Sequence, residues 1–391
     1  MPEEYPEPPV DPGSIAPAEL ARRIVDGEPV RLLDVRNRDE FETWHVVGPS
    51  VTATQLPFSK ALQAQVTDSV PDLAAQVDGE GPITVVCARG ESSAYVAGLF
   101  EQAGIEAHNL AEGMRGWARV YETHEITAPG DDGPTLLQYQ RPSSGCLGYL
   151  LVSEDEAAVV DPLRAFTDRY GVDAADRGAT VEYVIDTHVH ADHVSGLRTV
   201  AEATGGEMRM SERARDRGVS YDVGTLSEDD PPSLGAVDLR AVPLPGHTTG
   251  MTGIAVGDLL LTGDSLFVES VARPDLEEGD EGAAELAAEL YDSLQEGLLR
   301  FPDSMVVAPG HRDDGTPRAE DGTVTARLGT VRDRVEALSL GRDEFVDHVL
   351  AALPPQPNEY ERIIETNLGR ETLDDEGAFA VELGPNNCAA R

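Results

Sequence analysis

The chain has 391 residues, 72 of them Asp or Glu and 30 Lys or Arg, for a formal net charge of -42. That length exceeds what one hydrophobic core usually organises, so two domains of ordinary size are expected. The charge excludes nucleic acid and anionic lipid as partners of the chain as a whole, and apolar runs such as residues 181–185 and 259–261 are too short to cross a bilayer.

Lys60 is the sole lysine, and a carboxylate-rich surface of this kind suits a halophile, in whose salt the self-repulsion is screened. The N-terminus, Met-Pro-Glu-Glu-Tyr-Pro-Glu-Pro-Pro, lacks the basic and apolar regions of a secretory signal, which predicts a cytoplasmic address. Cys87, Cys146 and Cys388 are widely separated, so a disulfide framework is not expected and a reducing compartment is.

In chain order, residues 1–13 are rich in Pro and Glu and read as a disordered leader. A first domain is expected over residues 14–125. Pro17 opens a helix that stops at Gly27, residues 30–35 form a buried strand, residues 83–86 a second strand ending at Cys87, and residues 93–101 a helix before Gly104. Strand and helix alternate, the α/β pattern. Residues 126–134 hold a Thr-Ala-Pro-Gly-Asp-Asp-Gly-Pro stretch and read as the linker. A second domain is expected over residues 135–320, with strands at 147–152, 157–160 and 181–185, then a His-rich turn and a helix from about Val194. Residues 321–391 read as its C-terminal extension, with amphipathic helices over 324–338 and 343–353.

Two stretches carry chemistry. Cys87-Ala88-Arg89-Gly90-Glu91-Ser92-Ser93 lies between a strand and a helix, where backbone N–H groups converge and stabilise a thiolate, with Arg89 adding positive charge. The second is Thr187-His188-Val189-His190-Ala191-Asp192-His193, which places three of the chain's nine histidines and a carboxylate after a β-branched strand. Imidazole and carboxylate together suit Zn²⁺ or Fe²⁺. His247, Asp264 and His311 each follow a glycine at the end of a later apparent strand, so they are expected to converge on the same site. His45 and His108 read as scaffold groups and Cys146 as structural.

Leu32-Leu33-Asp34-Val35-Arg36, Glu40-Phe41, His45-Val46-Val47-Gly48 and Gly113-Met114-Arg115-Gly116-Trp117, taken with the cysteine loop, resemble the rhodanese family over residues 16–120. The resemblance implies that Cys87 carries a persulfide received from thiosulfate or another sulfane donor, with Arg89 assisting. Ser92 stands where that family commonly has arginine. The histidine motif with His247, Asp264 and His311 resembles the metallo-β-lactamase superfamily over residues 135–312, which implies an αββα sandwich with the metal at one edge. Arg273-Pro274-Asp275-Leu276 and Leu290-Tyr291-Asp292-Ser293-Leu294 look more like persulfide dioxygenases than glyoxalase II enzymes, with Pro274 departing from the threonine of the former. Carried over, that resemblance makes His188, His247 and Asp264 the ligands of one Fe(II) per chain. His190, Asp192, His193 and His311 become supporting groups, and Arg273 and Tyr291 position the substrate. The expected reactants are a small thiol persulfide, with thiosulfate or sulfite at Cys87. The alternative is a thioester hydrolase with two Zn²⁺ ions, in which His190, Asp192, His193 and His311 serve a second metal. A non-enzymatic alternative makes the first domain a sulfur sensor. A homo-oligomer is compatible with either.

Overall fold

The computed structural model describes residues 6–126, 133–313, 315–385 and 388–390. The chain divides into two compact units, Met1–Tyr121 with Arg141–Ser144, and Glu122–Gln140 with Gly145–Arg391.

In the first unit, β1 (Ser14–Ile15), β2 (Val30–Asp34), β3 (Val51–Gln55), β4 (Ile83–Val86) and β5 (Ala107–Leu110) form a parallel sheet in the order β1-β5-β4-β2-β3. Helices α1 (Pro17–Val25), α2 (Arg38–Thr43), α3 (Phe58–Val66), α4 (Val70–Ala74), α5 (Glu91–Gln102) and α6 (Gly113–Trp117) connect and cover it. Because neighbouring residues of a strand point to opposite faces, Leu33 and Val85 join one apolar cluster with Phe100, and Leu32 and Val86 join another with Leu20 and Trp117. Both faces are thus buried, as a parallel sheet requires. Residues 1–5 of the expected disordered leader lie outside the described residues. The part that follows packs in order, since a side chain at Gly98 of α5 would meet the Val10 carbonyl and Pro8.

The second unit layers two sheets. In the first, β6 (Glu122–Ile126), β7 (Thr135–Gln140), β8 (Leu147–Ser153) and β9 (Glu156–Val160) run antiparallel, and β10 (Thr180–Ile185), β11 (Glu207–Met210) and β12 (Gly224–Thr225) continue it in parallel. Helices α7 (Thr167–Ala175) and α8 (Leu197–Thr204) pack on β10, and α9 (Glu212–Asp216) follows β11. After a hairpin of β13 (Ser233–Leu234) and β14 (Val237–Asp238), the second sheet orders β15 (Arg240–Pro243), β16 (Thr252–Val256), β17 (Leu259–Gly263), β18 (Val306–Pro309) and β19 (Ala326–Arg327). Leu151, Ala158 and Ile185 of one sheet meet Ile254, Leu261 and Ala308 of the other. The alternate residues Leu260 and Val307 point outward, to the layer of α10 (Gly279–Asp292), α11 (Leu328–Arg334) and α12 (Arg342–Ala351), where they meet Leu290, Val331 and Phe345. The chain therefore has a five-stranded parallel α/β sheet followed by an αββα sandwich, with α13 (Tyr360–Asn367) and α14 (Asp375–Val381) as further C-terminal helices.

Three expectations differ from the structure. Residues 122–126, placed in the first domain and linker, pair with β7 and so complete the second unit's sheet; linker residues 127–132 lie outside the described residues. The helix expected over 324–338 is broken, because Ala326 and Arg327 pair with Val307 and Val306 at the sheet edge before α11 begins. The helix expected from Val194 begins at Leu197, since Ser195 first bridges to Leu163. Among the described residues no helix is long and apolar enough to cross a membrane.

Candidate metal centre and cysteine loop

Strand ends deliver the candidate ligands. The loop bearing His188, His190, Asp192 and His193 follows β10, His247 follows β15, Asp264 directly follows β17, and His311 follows β18. Two glycines make these turns feasible. Gly246 has φ 144° and lies against the backbone of Leu290, and Gly310 sits where any side chain would strike the Asp264 carboxylate.

His188 Nε2 and His247 Nε2 stand 3.9 and 3.8 Å from Asp264 Oδ2. All three atoms are buried and none has a hydrogen-bond partner in the protein. Their tautomers are fixed from behind. Thr187 Oγ1 donates to Asp161 Oδ2 at 2.9 Å, so it accepts from His188 Nδ1 at 2.9 Å, and the Arg273 carbonyl accepts from His247 Nδ1 at 2.7 Å. Each Nε2 consequently presents a lone pair. Burial, reinforced by the His190 and His247 rings, holds His188 well below the usual histidine value, and burial also lowers His247. Burial alone would raise Asp264, but the charge and hydrogen bond of His311 hold it below the carboxylate range. Leaving three buried acceptors unmatched costs about 1–3 kcal/mol each. A cation satisfies all three at once, so the donor set fits a metal.

The other expected groups are arranged differently. His311 bonds Asp264 Oδ1 through Nδ1 at 2.6 Å and Asp192 Oδ2 through Nε2 at 2.9 Å. His193 Nδ1 reaches the same Asp192 oxygen at 3.1 Å, and the Cys146 thiol donates to it at 3.3 Å. Burial opposes charge on His311 and His193, yet the carboxylates of Asp264 and Asp192 raise His311, and Asp192 raises His193, well above the usual histidine value. His190 places Nε2 3.2 Å from Asp161 Oδ1 and 3.9 Å from Asp186, while its ring lies 4.1 Å from that of His188 and its buried Nδ1 has no hydrogen-bond partner. Ligand-type atoms of Cys146, Asp192, His193 and His311 lie within 4.8 Å of one another, as do those of Asp161, Asp186 and His190.

Arg273 does not face the triad with its guanidinium. That group forms paired bonds of 2.7 Å to Asp275 and one of 2.9 Å to the Pro355 carbonyl, while the Arg273 backbone carbonyl holds His247. The Tyr291 ring packs edge-on against Phe345 of α12, 5.5 Å between centroids. Its neighbours do the supporting, since Leu290 lies under Gly246 and the Ser293 hydroxyl donates to the Pro245 carbonyl at 2.6 Å. Sequence reasoning does not reach Thr187, Asp161, Cys388 and Asn367 at this site, and Cys146, expected to be structural, lies within it against Asp192. Thr187 and Cys146 carried a usable signal, one adjoining His188 and the other ending a polar turn before a strand. A small, partly open cleft lies beside His311, walled by Phe267, Arg312, Thr316 and Cys388.

In the first unit, Cys87 is 4% exposed. Its Sγ accepts from the Gly90 N–H at 3.0 Å and from the Ser93 hydroxyl at 3.1 Å, and that hydroxyl lies 2.7 Å from Asn109 Oδ1. Helix α6 closes the loop: Met114 N–H donates to the Cys87 carbonyl at 2.8 Å and Arg115 N–H to Ala88 at 3.1 Å, with Gly113 in contact where no side chain fits. Gly90 has φ 101°, which turns the chain into α5. Arg89 is exposed and Ser92 is buried. Asp34 and Arg36 form a buried ion pair at 2.6 Å.

Residues 16–120 match the rhodanese-like domain family and residues 143–311 the metallo-beta-lactamase superfamily. The chain is a rhodanese-like domain followed by a metallo-beta-lactamase domain. Among individual proteins, it is 25% identical to persulfide dioxygenase ETHE1 of Bos taurus over 247 residues, 61% of this chain and 90% of that protein. It is 33% identical to a hydroxyacylglutathione hydrolase of Anaeromyxobacter dehalogenans over 165 residues, 42% of this chain and 60% of that one. The crystal structure of ETHE1 from Myxococcus xanthus superposes with a TM-score of 0.53 at 26% identity, covering 60% of this chain and 98% of the other.

Proposed function

We propose that the second unit oxidises the sulfane sulfur of a thiol persulfide at one Fe(II) held by His188, His247 and Asp264, and that Cys87 exchanges sulfane sulfur with thiosulfate, sulfite or a thiol. The observation that carries this reading is the triad itself, three buried ligand atoms of His188, His247 and Asp264 with no hydrogen-bond partner in the protein, which one metal would satisfy. Buried His190 Nδ1 and His193 Nε2 are unmatched as well, which supports the second reading below. Persulfide, dioxygen and water give thiol, sulfite and two protons in balance. An iron held by two imidazoles and one carboxylate supplies open positions at which dioxygen and a sulfur donor meet. The chain's part is to present neutral imidazoles through the Thr187 and Arg273 contacts, to turn one Asp264 oxygen to the metal while His311 holds the other, and to exclude bulk water by burial. At Cys87 the Gly90 N–H and the Ser93 hydroxyl stabilise the negative sulfur that attacks or leaves. Similarity to persulfide dioxygenases supports the reaction class.

A second reading is a dinuclear zinc thioester hydrolase. Its support is that Asp264 contributes to both the triad and a group with His311 and Cys388, together with the likeness to a hydroxyacylglutathione hydrolase. Metal analysis of anaerobically purified protein, joined to oxygen uptake with a supplied thiol persulfide, decides between them. About one iron per chain with uptake is expected. Two zincs, no uptake and thioester hydrolysis would refute the dioxygenase reading.

A further inference from the structure

The loop from His188 to Ser195 belongs to no helix or strand, yet it carries four of the candidate metal-site side chains. Its buried backbone groups need partners from elsewhere. The structure supplies them from the C-terminal helices. Asn367, the last residue of α13 and 5% exposed, donates through Nδ2 to the carbonyls of His190 and His193, both at 2.9 Å, and accepts the Ser195 N–H on Oδ1 at 2.9 Å. Glu382 Oε2 accepts the Val194 N–H at 3.1 Å.

The match is specific to a carboxamide. The loop offers two carbonyl acceptors and one N–H donor around a single point, and among side chains of this size only an amide has two N–H groups and an acceptor oxygen. A carboxylate in its place would keep the Ser195 bond and set negative oxygens against two carbonyls. We infer that Asn367 is a positioning residue of the metal centre, fixing the backbone between His190 and Ser195 so that His188 stays at the triad and Asp192 and His193 stay clustered with His311. On this reading the C-terminal extension does more than cover the sandwich, since it sets the shape of the ligand loop. The inference rests on the metal reading of the triad but on no particular reaction.

The remaining ties between the extension and the unit provide a control. Arg332 of α11 donates to the Leu299 carbonyl at 3.0 Å and pairs with Asp303, so Arg332→Ala loosens α11 and leaves the partners of the ligand loop in place.

The test uses the full chain, stripped of metal, titrated with Co²⁺ and with Zn²⁺ against a chromogenic chelator well below the unfolding temperature. Wild type, Asn367→Asp, Asn367→Ser and Arg332→Ala are compared. Asn367→Asp is expected to weaken metal binding by about tenfold to a hundredfold, the usual effect of removing groups that orient metal ligands, and to alter the visible spectrum of the Co²⁺ form. Asn367→Ser, which keeps a hydroxyl too short to span the three groups, is expected to lie between Asn367→Asp and wild type. Arg332→Ala is expected to lower the thermal midpoint with affinity and spectrum unchanged. Wild-type affinity and spectrum in folded Asn367→Asp would overturn the inference. So would failure of both Asn367 variants to fold while Arg332→Ala folds, because Asn367 would then be a plain structural residue. A wild-type chain that binds neither ion would refute the metal reading instead.

Discussion

Thr187→Val removes one hydroxyl and nearly preserves volume, in a residue with no exposed surface. That hydroxyl stands 2.9 Å from Asp161 Oδ2 and 2.9 Å from His188 Nδ1, so the substitution forfeits one bond to a carboxylate and one to an imidazole. The first is worth roughly 1.5–3 kcal/mol and the second about 1 kcal/mol. Asp161 is left with the Thr187 N–H at 2.7 Å and His190 at 3.2 Å, so the fold should survive at reduced stability. The functional loss is separate: without an acceptor at Nδ1, the His188 proton is no longer held there, and either nitrogen can carry it. Metal affinity should drop by about tenfold to a hundredfold. Thr187→Ser keeps the hydroxyl and should bind within a few-fold of wild type despite the missing methyl. Chelator competition with the stripped protein measures affinity, and urea unfolding of the same samples measures stability. Equal affinities for the Val and Ser variants would show that the hydroxyl does not set the tautomer.

Cys87→Ser is expected to abolish sulfur transfer from thiosulfate while oxygen uptake with added thiol persulfide persists; parallel loss of both rates in one preparation would mean that Cys87 feeds every substrate to the metal. Gly246→Ala places a methyl on the Leu290 backbone at φ 144°, so it should cost about 2 kcal/mol or more and release bound metal, read by calorimetry and metal analysis. Burial raises Asp275, but the Arg273 guanidinium overrides it and holds the carboxyl below its ordinary value. A depressed folded value stabilises above the unfolded pKa of about 3.9 and is lost as pH falls through the folded one. The urea midpoint of Asp275→Asn should therefore lie below wild type at pH 6, with the gap closing as pH falls below about 4; a gap independent of pH would refute the ion pair's role.

The convergence of His188, His247 and Asp264 was legible because each follows a short β-branched or apolar strand, often through a glycine, and strand ends on one edge of a sandwich come together. The Asp161 partner of His190 was not. That histidine lies two positions from His188, but its Nε2 turns to Asp161, whose φ of 49° at the end of β9 no local pattern announces. The contacts of Arg273 were hidden for a similar reason: its guanidinium bonds Asp275 two residues away and the Pro355 carbonyl, while its own carbonyl accepts from His247, and no local pattern announces either. Strand β6 was hidden beside a Pro- and Gly-rich stretch, and β19 was hidden in an apolar period that suits a helix as well. Asn367 had no signature at all, since an amide binding backbone carbonyls leaves no mark on the residues it binds.

Those contacts span 177 and 174 residues, and that of Glu382 with Val194 spans 188. Closing such long loops is slow and comes late. During synthesis the histidine loop emerges from the ribosome before Asn367 and Glu382 can partner its backbone. On the proposed metal reading, loading would therefore wait for the docking of α13 and α14 in the nearly finished chain.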